Sequence, residues 1–266
     1  MSLLRTSRRI IHLLAIAAVF SYSILEVLLT RPRTRALRAA WLSRICHRLL
    51  RPQHITVTAI GPIPAHGAII SNHLTYADIA VLATIQPCVF VSKIELRSTP
   101  VFGWISMMAG TVYINRKAGR TAGRSASKAA EGMAKGFRDA LPVVFFPEGT
   151  TSLGDAPTLP FRSGLLAMAL AAGEPITAAF IHYELSPADL AAGYSTHNDV
   201  HWGKQTLFQH VWNFVGLTNV HATIHFADQP IAFSEAALHN RKQAGREAQA
   251  AVEALAIPLQ QPTPGP

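Results

Sequence analysis

The 266-residue sequence predicts an α/β fold, a mostly parallel or mixed sheet of about seven strands flanked by helices, preceded by a membrane-associated helical segment. Three observations carry this expectation. Short apolar runs alternate with helix-length stretches from residue 55 onward, one long apolar stretch lies near the N-terminus, and the excess positive charge is confined to that end.

Of the 24 lysines and arginines, ten arginines precede residue 54 against the single acid Glu26, which leaves fourteen residues of each sign in the remainder. Between these arginines, Ile10 to Leu29 is interrupted only by His12 and Glu26. As a helix rising ~1.5 Å per residue it would cover roughly 30 Å, the thickness of a bilayer's hydrocarbon. Lipid therefore explains the basic end better than nucleic acid, and no nucleic-acid partner is expected. Pro32 breaks the chain, and Leu37, Trp41, Ile45 and Leu49 then recur at helical spacing. That pattern fits an interfacial helix with Trp41 at headgroup depth and arginines on lipid phosphates, or an ordinary amphipathic helix packed on the body. No cleavage site follows the apolar run, so a signal peptide is disfavoured. Arginines flank the run on both sides and are more numerous after it, which keeps the body on the cytoplasmic face of the cell membrane whether the segment spans or dips into one leaflet. Cys46 and Cys88 lie in unrelated segments and indicate neither a disulfide framework nor a thiolate metal site.

Strands are expected over Ile55 to Ile60, Ala68 to Ser71, Val89 to Ser92, Thr111 to Asn115, Val143 to Phe146, Ile176 to Ile181 and His221 to Phe226. Helices are expected over Asp78 to Leu82, Gly123 to Leu141, Gly164 to Ala172, Gln205 to Val215 and Ser234 to Ala256. The chain divides into anchoring helices (1–53), one α/β domain (54–258) and a proline-rich tail (259–266).

Candidate chemistry gathers where strands end. In Asn72-His73-Leu74-Thr75-Tyr76-Ala77-Asp78 a histidine and a carboxylate lie five positions apart between a buried strand and a helix, the layout of a general base held by an acid. Thr75 and Asp78 also fit a helix N-cap with an acid at the third helical position, which would explain Asp78 without His73. Gly110 to Arg116 is a strand ending in an arginine that offers a fork to phosphate or carboxylate, or else a solvated basic loop. Val143 to Thr150 is an apolar strand stopped by Pro147, presenting Glu148 beside Gly149, where hydroxyl groups could be accepted. Arg162 precedes the next helix as a second anion contact. His197 and His201 lack a third ligand and are expected in a polar surface loop, so no metal is implied. Gln205 to Val215 reads as a packed helix.

Together and in this order, the segments resemble the glycerolipid acyltransferase family, which includes 1-acyl-glycerol-3-phosphate and lyso-ornithine lipid acyltransferases. His73 and Asp78 match its His-x4-Asp motif, Gly110 to Arg116 the second block, Phe146-Pro147-Glu148-Gly149-Thr150 the third, and Pro175-Ile176 the fourth. The resemblance implies that His73 takes the proton of an acceptor hydroxyl as it attacks an acyl thioester, with Asp78 orienting the ring. It implies substrate contacts at Asn72, Gly110, Arg116, Glu148, Gly149, Thr150 and Arg162. Acyl-CoA or acyl carrier protein would be the co-substrate, with no further cofactor, and a lysolipid acceptor and membrane lipids the partners. The chain carries no Gly-x-Ser-x-Gly elbow, consistent with a nucleophile supplied by the substrate. Thr151 stands where many lysophosphatidic-acid-acylating members have arginine, which opens lyso-ornithine lipid as an alternative acceptor. Water in place of an acceptor would make the pair a thioesterase, and a non-catalytic lipid-binding protein would keep the fold alone.

Overall fold

The computed structural model describes residues 3–115 and 122–256. Helices α1 (Leu3–Thr30) and α2 (Arg35–Leu50) open the chain. The body follows as β1 (Ile55–Ile60), β2 (Ala68–Ser71), α3 (Ala77–Ile85), β3 (Val89–Lys93), α4 (Phe102–Met108), β4 (Val112–Ile114), α5 (Ala122–Arg138) and β5 (Val143–Phe145). It continues through α6 (Ser163–Ala171), β6 (Ile176–Leu185), α7 (Pro187–Ala191), α8 (Leu207–Phe214), β7 (Val220–Phe226), α9 (Glu235–His239) and α10 (Arg241–Glu253).

The seven strands form one sheet in the order β1-β7-β6-β2-β5-β3-β4. Neighbours are parallel except β6 and β7, so the sheet is mixed. Alternate residues of the central strands feed two cores. Ile69, Phe90, Val144, Ile181 and Tyr183 pack with α2 and α3. Ile70, Val89, Val143, Phe145 and Phe180 pack with α5, α6 and α10. Burial on both faces is why these strands read as unbroken apolar runs.

Two expectations about helices are corrected. The stretch expected as one helix from Ser234 to Ala256 is split at Asn240, whose extended backbone and side-chain oxygen cap α10 by accepting the N–H groups of Lys242 and Gln243. Trp41 does not sit at headgroup depth: it is fully buried, donates its indole N–H to the Ser23 carbonyl at 3.1 Å and meets Trp104 edge to face. Arg44 and Arg48 both pair with the Glu26 carboxylate, Arg44 at 2.8 Å, so these charges hold α2 to α1. Thus α2 is the packed amphipathic helix, and Val27, Trp41, Ile45 and Cys46 belong to the same core as the sheet. The change of charge at residue 53 does not mark a separate core.

Helix α1 is inverted relative to an ordinary surface helix. Its inner face buries Arg9, His12 and Ser23 along with Val27, while Ile11, Leu14, Leu25, Leu28 and Leu29 are exposed. Arg9 donates to the Tyr194 hydroxyl at 3.2 Å, and His12 Nδ1 lies 2.7 Å from the Val215 carbonyl oxygen. The helix is long and apolar enough to cross a membrane, yet it lies along the body with its apolar face outward.

Candidate active site

Strands β2 and β5 are parallel neighbours, with Ile70 opposite Phe145, so the segments that leave them emerge at one edge of the sheet. His73 follows β2 and Glu148 follows β5. His73 Nδ1 donates to Asp78 Oδ2 at 2.8 Å, and the Asp78 side chain is fully buried. The same oxygen accepts the backbone N–H groups of Leu74 at 2.7 Å and Thr75 at 3.1 Å, closing the loop around the carboxylate. Half of the expected capping arrangement is therefore present, the acid reaching back to Thr75. The N-cap itself is Tyr76, because α3 starts one residue later and Thr75 Oγ1 comes no closer than 3.5 Å to the Ala77 nitrogen.

With its proton on Nδ1, the His73 ring has a free lone pair on Nε2, for which the described residues offer no partner. The ring stacks on Phe146, centroids 4.0 Å apart and planes 8° from parallel, and the side chain stays 16% exposed. A base held on one nitrogen, supported on one face and open at the other nitrogen can accept a proton from a hydroxyl.

Glu148 corrects an expectation. It is only 2% exposed and turned inward: Oε1 accepts the His73 N–H at 2.8 Å and Oε2 accepts the Leu159 N–H at 3.1 Å. The His73 carbonyl in turn accepts the Ser152 N–H at 2.8 Å, so the segment after β5 grips the backbone of His73 from both sides. Burial, helped by the charges of Asp78 and Glu253, pushes the Glu148 carboxyl up to about 7 against the opposing pull of its two N–H donors.

The remaining expected contacts are distributed unevenly. Asn72 is fully buried and satisfied by β6, donating to the Ile181 carbonyl at 2.9 Å and accepting the Ile181 N–H at 2.7 Å, so it extends the sheet instead of facing a substrate. Gly149 occupies the tight turn after β5 with φ of 73°, a conformation that favours glycine, and Thr150 is exposed beside it. Arg162 lies close by: its backbone N–H donates to the Pro147 carbonyl at 2.9 Å while its side chain is exposed without a partner among the described residues. Gly110 is not at the site. It precedes β4 at the opposite edge of the sheet, with φ of 79°, and its carbonyl accepts from Arg35. Arg116 falls outside the described residues.

Two residues at the site were not anticipated. The Tyr183 hydroxyl donates to Asp78 Oδ1 at 2.7 Å from the far end of β6, four residues of which extend past the expected strand. His201, expected in a surface loop, is half-buried: its Nδ1 donates to the Leu153 carbonyl at 2.7 Å, and the next residue, Trp202, donates its N–H to the Leu74 carbonyl at 2.7 Å. Burial disfavours the protonated ring of His201 and of the neighbouring His210. Beside α3 lies an apolar cavity of about 320 Å³, lined among others by Phe20, Ile45, Ile79, Phe90 and Phe102. The expected packed helix α8 contributes Leu207, Val211 and Phe214 to the same wall.

Fold and site define an α/β protein with a hydrogen-bonded His73–Asp78 pair at the carboxyl edge of its sheet. Residues 54–182 form a domain that matches the family model described as Acyltransferase. It is 31% identical over 153 residues to the lyso-ornithine lipid O-acyltransferase of Pseudomonas aeruginosa, a match covering 57% of this chain and 55% of that one. It is 34% identical over 125 residues to the 1-acyl-sn-glycerol-3-phosphate acyltransferase of Neisseria gonorrhoeae, covering 46% and 47% respectively. The matches thus span about half the length of these curated relatives. Among solved structures, the 1-acyl-sn-glycerophosphate (LPA) acyltransferase PlsC of Thermotoga maritima shares the fold, with a TM-score of 0.64, 19% identity and 94% and 95% coverage.

Proposed function

We propose that this chain is a membrane-associated O-acyltransferase that moves a fatty acyl group from a thioester of coenzyme A or acyl carrier protein to the free hydroxyl of a lysolipid. The observation that carries the reading is a His73 ring whose Nδ1 is held by Asp78 at 2.8 Å and whose Nε2 has no partner among the described residues. His73 Nε2 takes the acceptor's hydroxyl proton as its oxygen forms the new bond to the thioester carbonyl carbon. The tetrahedral intermediate then expels the thiolate, which recovers that proton from the imidazolium. The apolar cavity beside α3 is lined as a fatty acyl chain requires. The apolar outer face of α1 supports docking at the cytoplasmic surface of the cell membrane without the helix leaving the body.

For the acceptor, lysophosphatidic acid stands first: Arg162 places an exposed cation next to the turn that carries Glu148 and Gly149. Thr151 in the place of a second cation, together with the likeness to a lyso-ornithine lipid acyltransferase, supports lyso-ornithine lipid as the alternative. Purified protein in vesicles, given labelled acyl-CoA or acyl carrier protein with either lysolipid, tests both. Transfer that vanishes in His73→Ala is expected, whereas thioester hydrolysis indifferent to any acceptor would overturn the reading.

A further inference from the structure

The Tyr183 hydroxyl is a polar group that β6 sends into the core shared with α3. Tyr183 stands opposite Ala222 in the sheet and shares a core with Ile181, Leu185 and Ile224, where a phenylalanine would fill nearly the same volume. The hydroxyl must find a partner at that depth, and it finds Asp78 Oδ1 at 2.7 Å. The two oxygens of Asp78 are thereby divided. Oδ2 takes His73 Nδ1 and the N–H groups of Leu74 and Thr75, while Oδ1 takes Tyr183.

From this division, and resting on the acyl-transfer reading of His73, we infer that Tyr183 is a positioning residue for the reaction: its hydroxyl locks the Asp78 carboxylate plane and draws off part of its charge. Locking the plane keeps Oδ2 on Nδ1, which leaves Nε2 as the basic nitrogen. Drawing charge toward Oδ1 weakens the hold of Asp78 on the protonated ring, so the imidazolium returns its proton readily to the leaving thiolate. Burial and the nearby Asp78 charge push the Tyr183 hydroxyl well above the ordinary tyrosine range, so it remains a donor throughout the working pH range. The other titratable groups facing this pair are Glu148 from the end of β5, Tyr76 at the start of α3 and His201 from the segment before α8. Tyr183 alone among them donates to Asp78 among the described residues.

The test compares Tyr183→Phe with the full-length chain carrying 3,5-difluorotyrosine at position 183, a stronger donor of the same shape. In Tyr183→Phe the acid limb of the kcat/KM profile is expected to move up by about one pH unit and plateau kcat to fall roughly tenfold, with KM nearly unchanged. The fluorinated chain is expected to move the limb the opposite way. A merely structural tyrosine would move neither limb while lowering the unfolding midpoint, and limbs that coincide in all three proteins overturn the inference. The His73 ring is titrated in parallel by carbon-13 histidine NMR without substrates. If wild type transfers no acyl group yet the His73 titration moves in opposite directions in the two variants, the acyl-transfer reading fails and the coupling stands. If wild type transfers and the titrations coincide, the coupling alone fails.

Discussion

The Glu148 carboxylate accepts the backbone N–H of His73 at 2.8 Å across 75 residues of sequence. The acid whose sequence position suggests a contact with a substrate hydroxyl instead holds the main chain of His73. With the Ser152 N–H on the His73 carbonyl, this fixes where the ring leaves the backbone, and the stack on Phe146 fixes its tilt. A ring positioned from three sides would lose little freedom in acting as the proposed base.

Glu148→Gln turns one N–H group of the amide toward a backbone donor, so one of the two hydrogen bonds is lost. A fall of roughly tenfold to a hundredfold in kcat is expected, the scale of a small misplacement of a reacting group, with KM for the lysolipid within about twofold. Steady-state kinetics at saturating thioester decides; a raised KM at unchanged kcat would put Glu148 on the acceptor.

The same residue gives stability a pH dependence. Its carboxyl is raised from the ordinary 4.5 to about 7 in the folded chain. Between those values the folded state binds more protons than the unfolded state, so the unfolding free energy falls as pH rises. The loss is on the order of 3 kcal/mol at about 1.4 kcal/mol per unit. Denaturant titrations from pH 5 to 8 should show this decline in wild type and a flatter curve in Glu148→Gln.

Asp78→Asn keeps the side chain's shape and removes its charge, and the amide can set the wrong tautomer on His73. Hydrolase triads with this change lose about 10⁴-fold in kcat, and a loss of roughly 10³ to 10⁴ is expected here. Circular dichroism that matches wild type would assign the loss to chemistry; activity within tenfold of wild type would remove Asp78 from the mechanism.

Asn72→Ala leaves both main-chain groups of Ile181 unpaired in the core. A stability loss of about 2 to 4 kcal/mol is expected from two buried unsatisfied groups. Urea unfolding measures it, and KM for either substrate should stay within about twofold because Asn72 faces the sheet.

Leu14→Glu combined with Leu28→Glu charges the outer face of α1 without touching Arg9, His12 or Glu26, which hold its inner face. Each leucine contributes about 1.5 to 3 kcal/mol when moved from water into lipid, so vesicle binding should weaken by more than about a hundredfold. Flotation with anionic vesicles reads this; unchanged flotation would move the lipid contact elsewhere.

The sequence by itself determined the layers of the fold and the spacing that brings His73 and Asp78 together. Strand runs, helix periods and the five-residue spacing of His73 and Asp78 are local patterns, because the periods of strands and helices are properties of neighbouring residues. The order of segments that resembles an acyltransferase is likewise written along the chain. Only the tertiary structure decided what each polar side chain spends its hydrogen bonds on. Glu148 meets His73 across 75 residues, Asn72 meets Ile181 across 109, and Tyr183 meets Asp78 across 105. These pairings depend on the register of β2 against β5 and β6, which no local period encodes. For the same reason Trp41, whose helical spacing suited a lipid surface, is buried: the spacing defined a face, and the packing of α1 and Trp104 against it decided that the face meets protein.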